Sequence, residues 1–250
     1  MNILVLEKEE IGSLLPRSDR RWAHVKKVLR KKPGDRLDAG LVDGPIGEAI
    51  VRSLDDDGLV LDFEAGREAP PLAPIRLLLG FPRPIQATRI LKDLTSLGVS
   101  EIRLMGTQLG EKSYAQSSIF KDKDFRGPLL EGAEQAGNPR LPRVLVHWDL
   151  AACLGAIDAE DSAGGQAPSA NRGSRLFLHP YGKPERLGLG AGIEAPVTLA
   201  IGSERGWTEA ELELLRASGF AARGLGDRIL KTETAALAAT VLALAALGRI

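Results

Sequence analysis

The sequence predicts an α/β fold with a mainly parallel sheet, preceded by a small β unit. Short apolar runs alternate with helical patterns from residue 75 onward, which is typical of a parallel sheet. Short strands separated by Asp-Gly turns fill residues 36–63 and indicate a small β-barrel. Residues 64–74 contain three prolines and a glycine, as linkers often do. We therefore expect one domain at 1–68 and a second at 75–250.

Composition and charge are those of a globular protein that carries one basic segment. Hydrophobic residues make up 44% of the 250 residues and charged residues 26%, with a formal net charge of zero. Residues 17–36, however, include nine Lys or Arg residues and only two acidic residues. This cluster suggests a phosphate-bearing partner, and a solvated helix face remains the alternative.

Several kinds of site are not expected from this sequence. The single cysteine, Cys153, excludes an intramolecular disulfide and a cysteine-based zinc site, and the three histidines are too scattered for a metal cluster. The first residues lack the pattern of a secretory signal peptide. No run reaches the roughly 18 apolar residues of a membrane span. We therefore expect a cytoplasmic protein with no metal and no membrane partner.

In the first domain, the pattern predicts a strand at 3–6 and a basic helix at 20–30. The apolar side of that helix is expected to carry Trp22, Val25, Val28 and Leu29. Trp22 is expected in the core of the domain, with stacking on a planar ring of a phosphate-bearing partner as the alternative. Further strands are predicted at 36–41, 46–54 and 58–63.

In the second domain, strands are predicted at 75–79, 101–105, 143–147, 175–179 and 197–201. Helices are predicted at 86–97, 125–136 and 232–247, and a further one begins after Thr208 with Glu211 at capping-box spacing. Residues 158–174 are rich in Gly, Ala and Ser and predict a mobile surface loop.

The strand at 197–201 and the loop that follows it form the most informative stretch. Gly202 and Gly206 let the backbone turn sharply and approach a ligand closely. The crevice at the carboxyl ends of parallel strands is where ligands usually bind in such sheets. A second glycine-rich stretch, at 188–192, follows no apolar strand and precedes no helix, so we do not expect it to bind a dinucleotide.

Several segments together resemble the RsmE family, the 16S ribosomal RNA uracil-N3 methyltransferases of the SPOUT (trefoil-knotted) superfamily. The first is Arg21-x-x-His24-x-x-x-Val28-Leu29-Arg30, followed by Gly34-Asp35. The second comprises Glu131, Glu134-Gln135, Arg140 and Pro142. The third and fourth are IGSERGWT at 201–208 and LGDRILKTETA at 225–235. In this chain Ser203 and Arg205 replace a Pro and a Gly of the family's pattern, and Lys231 replaces an Arg.

The resemblance implies a PUA-like RNA-binding barrel at 1–68 and a SPOUT domain with a C-terminal trefoil knot at 75–250. It implies that S-adenosylmethionine binds among the knot loops, at Leu178, His179, Ile201, Gly202, Ser203, Glu204, Gly206, Leu225, Gly226, Ile229 and Leu230. It also implies a homodimer with the final helix in the interface, acting on small-subunit ribosomal RNA. RNA contacts are expected at Arg20, Arg21, His24, Lys27, Arg30 and Arg140.

The implied reaction is methylation of a uridine at N3. That nitrogen must lose its proton, and positive donors near the carbonyl oxygens would stabilise the imide anion. Arg228 is the leading candidate for this role, followed by Lys231 and Arg126; Glu204 is a candidate for the base or for orienting it. Two alternatives remain open: a SPOUT enzyme with another target, such as a ribose 2′-hydroxyl, and a non-catalytic RNA-binding protein.

Overall fold

The computed structural model describes residues 2–163, 173–188, 190 and 192–250. The chain divides into two compact units. The first comprises Met1–Pro71 together with Leu129–Leu141, and the second comprises Leu72–Pro128 with Pro142–Ile250. A segment from the middle of the chain thus belongs to the first unit.

The first unit is built on a five-stranded sheet. Its strands are β1 (Leu4–Leu6), β2 (Leu14–Pro16), β3 (Arg36–Leu41), β4 (Ile46–Leu54) and β5 (Gly58–Arg67). Their order is β1-β3-β4-β5-β2, with β1 parallel to β3 and the other pairs antiparallel. The predicted Asp-Gly turns connect β3 to β4 and β4 to β5, and inward-facing apolar side chains of the strands form the core with Trp22 and Val25.

The basic segment differs from the predicted single helix. It forms a short α-helix, α1 (Arg20–Ala23), which passes into a π-helix at His24–Val28. The backbone N–H of Leu29 donates to the His24 carbonyl, and this wider turn rotates the following residues away from the core. Val28 and Leu29 are consequently 67% and 40% exposed, so their predicted place on the apolar side was wrong.

The second unit is built on a six-stranded sheet. Its strands are β6 (Ala73–Gly80), β7 (Val99–Met105), β8 (Arg143–His147), β9 (Ser174–Leu178), β10 (Val197–Ile201) and β11 (Ala221–Arg223). Their order is β11-β9-β10-β6-β7-β8, and every pair among the described residues is parallel. Continuous apolar runs predict strands covered on both faces, and β10 is buried along its whole length. The parallel sheet is therefore confirmed.

In the described part of the chain, six further α-helices follow α1: α2 (Pro84–Ser96), α3 (Ser118–Lys121), α4 (Arg126–Ala136), α5 (Leu150–Ala163), α6 (Glu209–Ala217) and α7 (Thr232–Ala246). The helix α7 packs against α2, β6 and β10, which explains its largely apolar composition. The capping box predicted at Thr208 and Glu211 is present at the start of α6. No helix among the described residues is long and apolar enough to cross a membrane.

Two predictions about irregular segments were wrong in part. The predicted linker at 64–74 is shorter than expected, because β5 runs to Arg67 and β6 begins at Ala73. The predicted loop at 158–174 overlaps α5, which continues to Ala163. Alanine is the strongest helix former, and its abundance there is compatible with a helix as well as a loop. Residues 164–172 lie outside the described part of the chain.

Candidate active site

A cavity of about 260 Å³ lies at the carboxyl ends of β9, β10 and β11. Its lining comes from residues 178–181 after β9, 201–207 after β10, and most of 223–235 after β11. From β6 the chain adds β7 and β8 on one side, and then crosses to add β9, β10 and β11 on the other. Such a reversal of strand order is where open α/β sheets bind their ligands. The volume is close to the lower end of that of small-molecule sites, about 300–1,000 Å³.

Two glycines allow close packing around the loop after β10. A Cβ added at Gly202 would lie 3.0 Å from the carbonyl carbon and oxygen of Gly206. A Cβ added at Gly80, at the end of β6, would lie 2.6 Å from the backbone nitrogen of Ser203. A side chain at Gly80 therefore forces the backbone of the loop to move, and one at Gly202 requires a small shift of the Gly206 carbonyl group.

A tight turn at 203–206 shapes the same loop. The Gly206 N–H donates to the Ser203 carbonyl at 2.8 Å, and the Ser203 hydroxyl donates to the Gly206 carbonyl at 3.5 Å. The residue of this turn with a positive φ is Gly206, at 75°, and Arg205 therefore adopts an ordinary backbone conformation without strain. The Arg205 side chain is exposed and is part of the cavity lining. The Trp207 indole donates to the Leu178 carbonyl at 3.2 Å and ties this loop to the end of β9.

Among the described residues, four charged side chains line the cavity: Glu204, Arg205, Arg223 and Arg228. Glu204 is the only carboxylate among the described lining residues, and one of its oxygens accepts the backbone N–H of Arg83 at the start of α2, at 3.2 Å. Arg223 pairs with Glu185 at 3.1 Å, while its buried Nε has no acceptor among the described residues. Arg228 is exposed in the lining, and no described residue forms an ion pair with it.

Aromatic rings line the segment after β9. Burial, with a contribution from Arg216, lowers the pKa of His179, so that its imidazole is neutral at pH 7. The centroid of the His179 ring lies 6.4 Å from that of the buried Phe177 and 5.5 Å from that of Tyr181. Tyr181 is 62% exposed in the cavity lining. The row of rings therefore leads from the core to an aromatic face that is open to a ligand.

Every residue that the sequence suggested for the cofactor lies in this lining. Of the predicted catalytic residues, Arg228 and Glu204 are part of it, whereas Lys231 and Arg126 are not among the described residues that line it. Sequence reasoning missed Tyr181, Arg223 and Trp207. Tyr181 and Trp207 directly follow segments that had been assigned to the cofactor site from the sequence. Arg223 lies on β11, which has too few residues to show a strand pattern in the sequence.

The predicted RNA-binding residues fall into two groups. Lys27 and Arg30 are exposed and His24 is half-buried, as a contact surface requires. Arg21, in contrast, is 8% exposed, and its guanidinium donates to the carboxylates of Glu10 and Asp19. Burial by itself would raise the pKa of these carboxyls, but the hydrogen bonds from Arg21 hold the pKa of both below its usual value. This burial argues for a structural role and against RNA contact at Arg21.

Arg20 and Arg140 are also engaged within the first unit. Arg20 pairs with the buried Glu134 at 2.6 Å, although its own side chain remains 43% exposed. Arg140 donates from Nε to the Ala69 carbonyl at 3.0 Å. Both side chains keep some exposed surface, so their contact with RNA stays a prediction.

Comparison with known proteins identifies the family. Residues 68–244 match the RNA methyltransferase domain family. Over 249 residues the chain is 38% identical to the ribosomal RNA small subunit methyltransferase E of Treponema pallidum, covering 98% of this chain and 91% of that protein. The chain belongs to the ribosomal RNA small subunit methyltransferase E family. A further member, methyltransferase E 1 of Borreliella burgdorferi, is 29% identical and covers 97% of both chains.

Solved structures share the fold of the whole chain. Lpg2936 of Legionella pneumophila, in complex with SAM, superposes with a TM-score of 0.74 at 21% identity and covers 98% of both chains. Methyltransferase E of Neisseria gonorrhoeae, bound to S-adenosyl methionine, superposes with a TM-score of 0.69 at 23% identity over 97% of both chains. The predicted fold class is thus confirmed: a small N-terminal β unit and a mainly parallel α/β methyltransferase unit.

Proposed function

We propose that this chain transfers a methyl group from S-adenosylmethionine to N3 of a uridine in small-subunit ribosomal RNA. The observation that carries this proposal is the cavity itself. Residues from three separate segments, two of which resemble motifs of the methyltransferase E family, meet in one lining at the carboxyl ends of adjacent strands. Its relatives in Treponema and Borreliella bear the name of a ribosomal RNA methyltransferase.

The lining fits this cofactor in three respects. The close packing around Gly202 brings bare backbone to the cavity, and backbone donors and acceptors suit the edge of an adenine ring. The unpaired Arg223 Nε offers a buried donor, and a carboxylate is the acceptor that best satisfies a guanidinium. The part of the lining after β9 and β10 carries no positive charge at His179, Leu178 or Ile201, because the His179 imidazole is neutral and the other two side chains are apolar. These residues therefore do not repel the positively charged sulfur of the cofactor.

The bound cofactor would supply an electrophilic methyl group on a positively charged sulfur. For N3 of uracil to take that methyl, its proton must leave and the negative charge must spread to the two neighbouring carbonyl oxygens. The exposed guanidinium of Arg228 is the donor that we assign to those oxygens. Glu204 is the residue that we assign to accepting the N3 proton, or to orienting the group that does.

The partners follow from the same proposal. We place RNA against the exposed part of the basic segment in the first unit and assign a homodimer to the exposed side of α7. We also infer that the substrate is the assembled small subunit and that the enzyme therefore acts in the cytoplasm. The C-terminal chain would be threaded through a loop as a trefoil knot, as the family resemblance implies.

The proposal is tested first by calorimetric titration with S-adenosylmethionine. We expect saturable binding by the wild-type chain, weakened in Gly202→Ala, because the new Cβ lies 3.0 Å from the Gly206 carbonyl group and shifts the loop. Gly188→Ala is the matched control, since a Cβ there meets nothing within 4 Å and the position lies outside the lining. Failure of the wild-type chain to bind would contradict the proposal.

Methylation of isolated small subunits is the second step of the test. Mass spectrometry of the digested RNA distinguishes a methyl group on the uracil ring from one on a ribose. Methylated uracil with the methyl on N3 is the expected product. A ribose 2′-methyl product would instead favour the alternative SPOUT reaction.

A further inference from the structure

A second cavity, of about 290 Å³, lies within the first unit, and we call it the β-unit pocket. Its apolar walls are Ile3, Leu4, Leu29 and Leu37. Its polar part consists of Asn2, His24, Lys31, Arg36, Asp38 and Glu48. Polar and charged residues thus outnumber apolar ones in this lining, which suits a polar ligand that also carries an apolar face.

The segment that forms one wall of the β-unit pocket has an irregular backbone. It contains the π-helix at His24–Val28, a conformation that is frequent at functional sites. It leaves Leu29 40% exposed beside the pocket, although leucine is ordinarily buried. Its helical part ends with Arg30 at a φ of 52°, the left-handed conformation in which many helices terminate. Of this segment, His24, Leu29 and Lys31 line the pocket.

Charges at the pocket indicate the chemistry of its ligand. The Lys31 ammonium donates to the Arg36 carbonyl at 2.7 Å, which fixes a positive charge at the rim. Asp38 lies opposite Glu48 in the register of β3 and β4. Arg36 pairs with Glu48 at 2.9 Å, whereas no described residue supplies a donor or an ion-pair partner to Asp38. The pocket thus offers a cation for a phosphate and a free acceptor for an N–H group.

We propose that the β-unit pocket binds one unpaired nucleotide of the RNA substrate, with its base against Leu29 and His24 and its phosphate at Lys31. Asp38 then accepts an exocyclic amino group of adenine, cytosine or guanine. Uracil is disfavoured, because the carbonyl oxygens on either side of its only N–H repel a carboxylate. The nucleotide is therefore a different one from the methylated uridine. This inference rests on the proposed function, since it takes RNA as the partner.

The chain's three histidines make a direct test possible, because each gives its own imidazole signals in an NMR spectrum. Cytidine, adenosine and guanosine monophosphates are expected to shift the signals of His24 and to leave those of His147 unchanged. Uridine monophosphate should shift them much less. Equal shifts with all four nucleotides, or with inorganic phosphate alone, would overturn the proposal, as would no shift at His24.

Two exposed apolar residues in the same segment provide matched variants. Leu29→Ser removes an apolar wall that the base would cover, so mononucleotide binding should weaken by at least about fivefold. Val28→Ser makes a comparable change outside the lining and should leave the affinity unchanged. In Asp38→Asn, the affinity for uridine monophosphate should become close to the affinities for the other three nucleotides. Equal affinities for the two serine variants would contradict the proposed packing of the base on Leu29.

The same spectra keep this inference separate from the proposed enzymatic function. His179 lies in the lining of the first cavity, so its signals report on S-adenosylmethionine. A shift of His179 with the cofactor and none of His24 with nucleotides would refute the β-unit pocket alone. The reverse result would refute the proposed methyl transfer and leave the nucleotide pocket standing.

Discussion

At the scale of single residues, Arg228 is the side chain on which we expect turnover to depend. Its guanidinium is exposed in the cavity lining, whereas Lys231 is not among the lining residues described. Arg228→Ala should lower kcat about 10²–10³-fold, as does the loss of one donor to a developing oxyanion, with little change in cofactor affinity. Lys231→Ala should lower kcat less than about tenfold. Single-turnover rates on small subunits would measure both, and equal losses would refute the assignment.

His179 gives a prediction about pH. Burial, with a contribution from Arg216, holds its pKa below the ordinary 6.5 in the folded chain. At pH values between the folded and the unfolded pKa, His179 is protonated more often in the unfolded chain than in the folded one, which favours unfolding. The contribution of His179 to stability is therefore complete above pH 6.5 and is lost as the pH falls through the folded pKa. Protonation also places a cation in the cavity lining, which opposes a positively charged cofactor.

Affinity for S-adenosylmethionine should therefore decrease as the pH is lowered through the folded pKa of His179. In His179→Asn this pH dependence should become flatter. His147→Asn is the control, because burial lowers the pKa of His147 as well but the residue lies outside the lining. Calorimetric titrations over a pH series would measure the effect, and a steep dependence retained in His179→Asn would assign it to another group.

At the scale of elements, the pair between Arg20 of α1 and Glu134 of α4 joins two distant parts of the first unit. The Glu134 side chain is only 2% exposed, and Arg20 lies 2.6 Å from one of its oxygens. Burial raises the pKa of Glu134, even though Arg20 acts in the opposite direction. A carboxylate in this position depends on its partner, because removal of the partner leaves a buried charge uncompensated.

Arg20→Ala should therefore destabilise the chain by about 2–3 kcal/mol at pH 7, less than for a fully buried pair since Arg20 is half-exposed. Part of this loss should be recovered at an acidic pH, because burial raises the pKa of Glu134 and the folded variant then takes up a proton there before the unfolded chain does. Urea unfolding at the two pH values would measure both effects. Glu134→Gln in the same chain should remove the pH dependence, and its persistence would contradict the assignment to Glu134.

Elements with strong local signals were predictable from the sequence. The bounds of β4, β8 and β10 agree with the prediction, because apolar runs there end at turn residues. The strands β2 and β11 have only three residues each and carry no pattern of their own. The π-helix at His24–Val28 was not predictable either, since its wider turn follows from tertiary packing and not from the spacing of apolar residues.

The candidate site was predictable where one continuous motif holds its residues, as in the loop after β10. Arg223 was not, because it enters the lining only through the pairing of β11 with β9. The hydrogen bond that the Arg83 backbone N–H donates to Glu204 at the start of α2 was not predictable either, because the two residues are far apart in the sequence. Long-range contacts of this kind depend on strand order, which the local pattern does not determine.

At the scale of the whole molecule, the surface of α7 bears on the proposed homodimer. One side of this helix is buried against α2, β6 and β10. The other side carries a stripe at helical spacing that is exposed or half-exposed and mostly apolar, formed by Thr234, Leu237, Ala238, Val241 and Ala245. Val241 is 39% exposed at its centre. A second copy of the chain would cover this stripe with an identical one, as two-fold dimers do.

Val241→Glu should convert the dimer into a monomer, because it places an unpaired carboxylate at the centre of an apolar contact. Sedimentation velocity over a concentration series would measure the change. The control is Val28→Glu, which makes the same substitution at an exposed valine of the first unit and should leave the dimer intact. If RNA binds across both subunits, the Val241→Glu chain should also lose methylation while keeping its circular dichroism spectrum. A wild-type chain that sediments as a monomer at every concentration would refute the dimer.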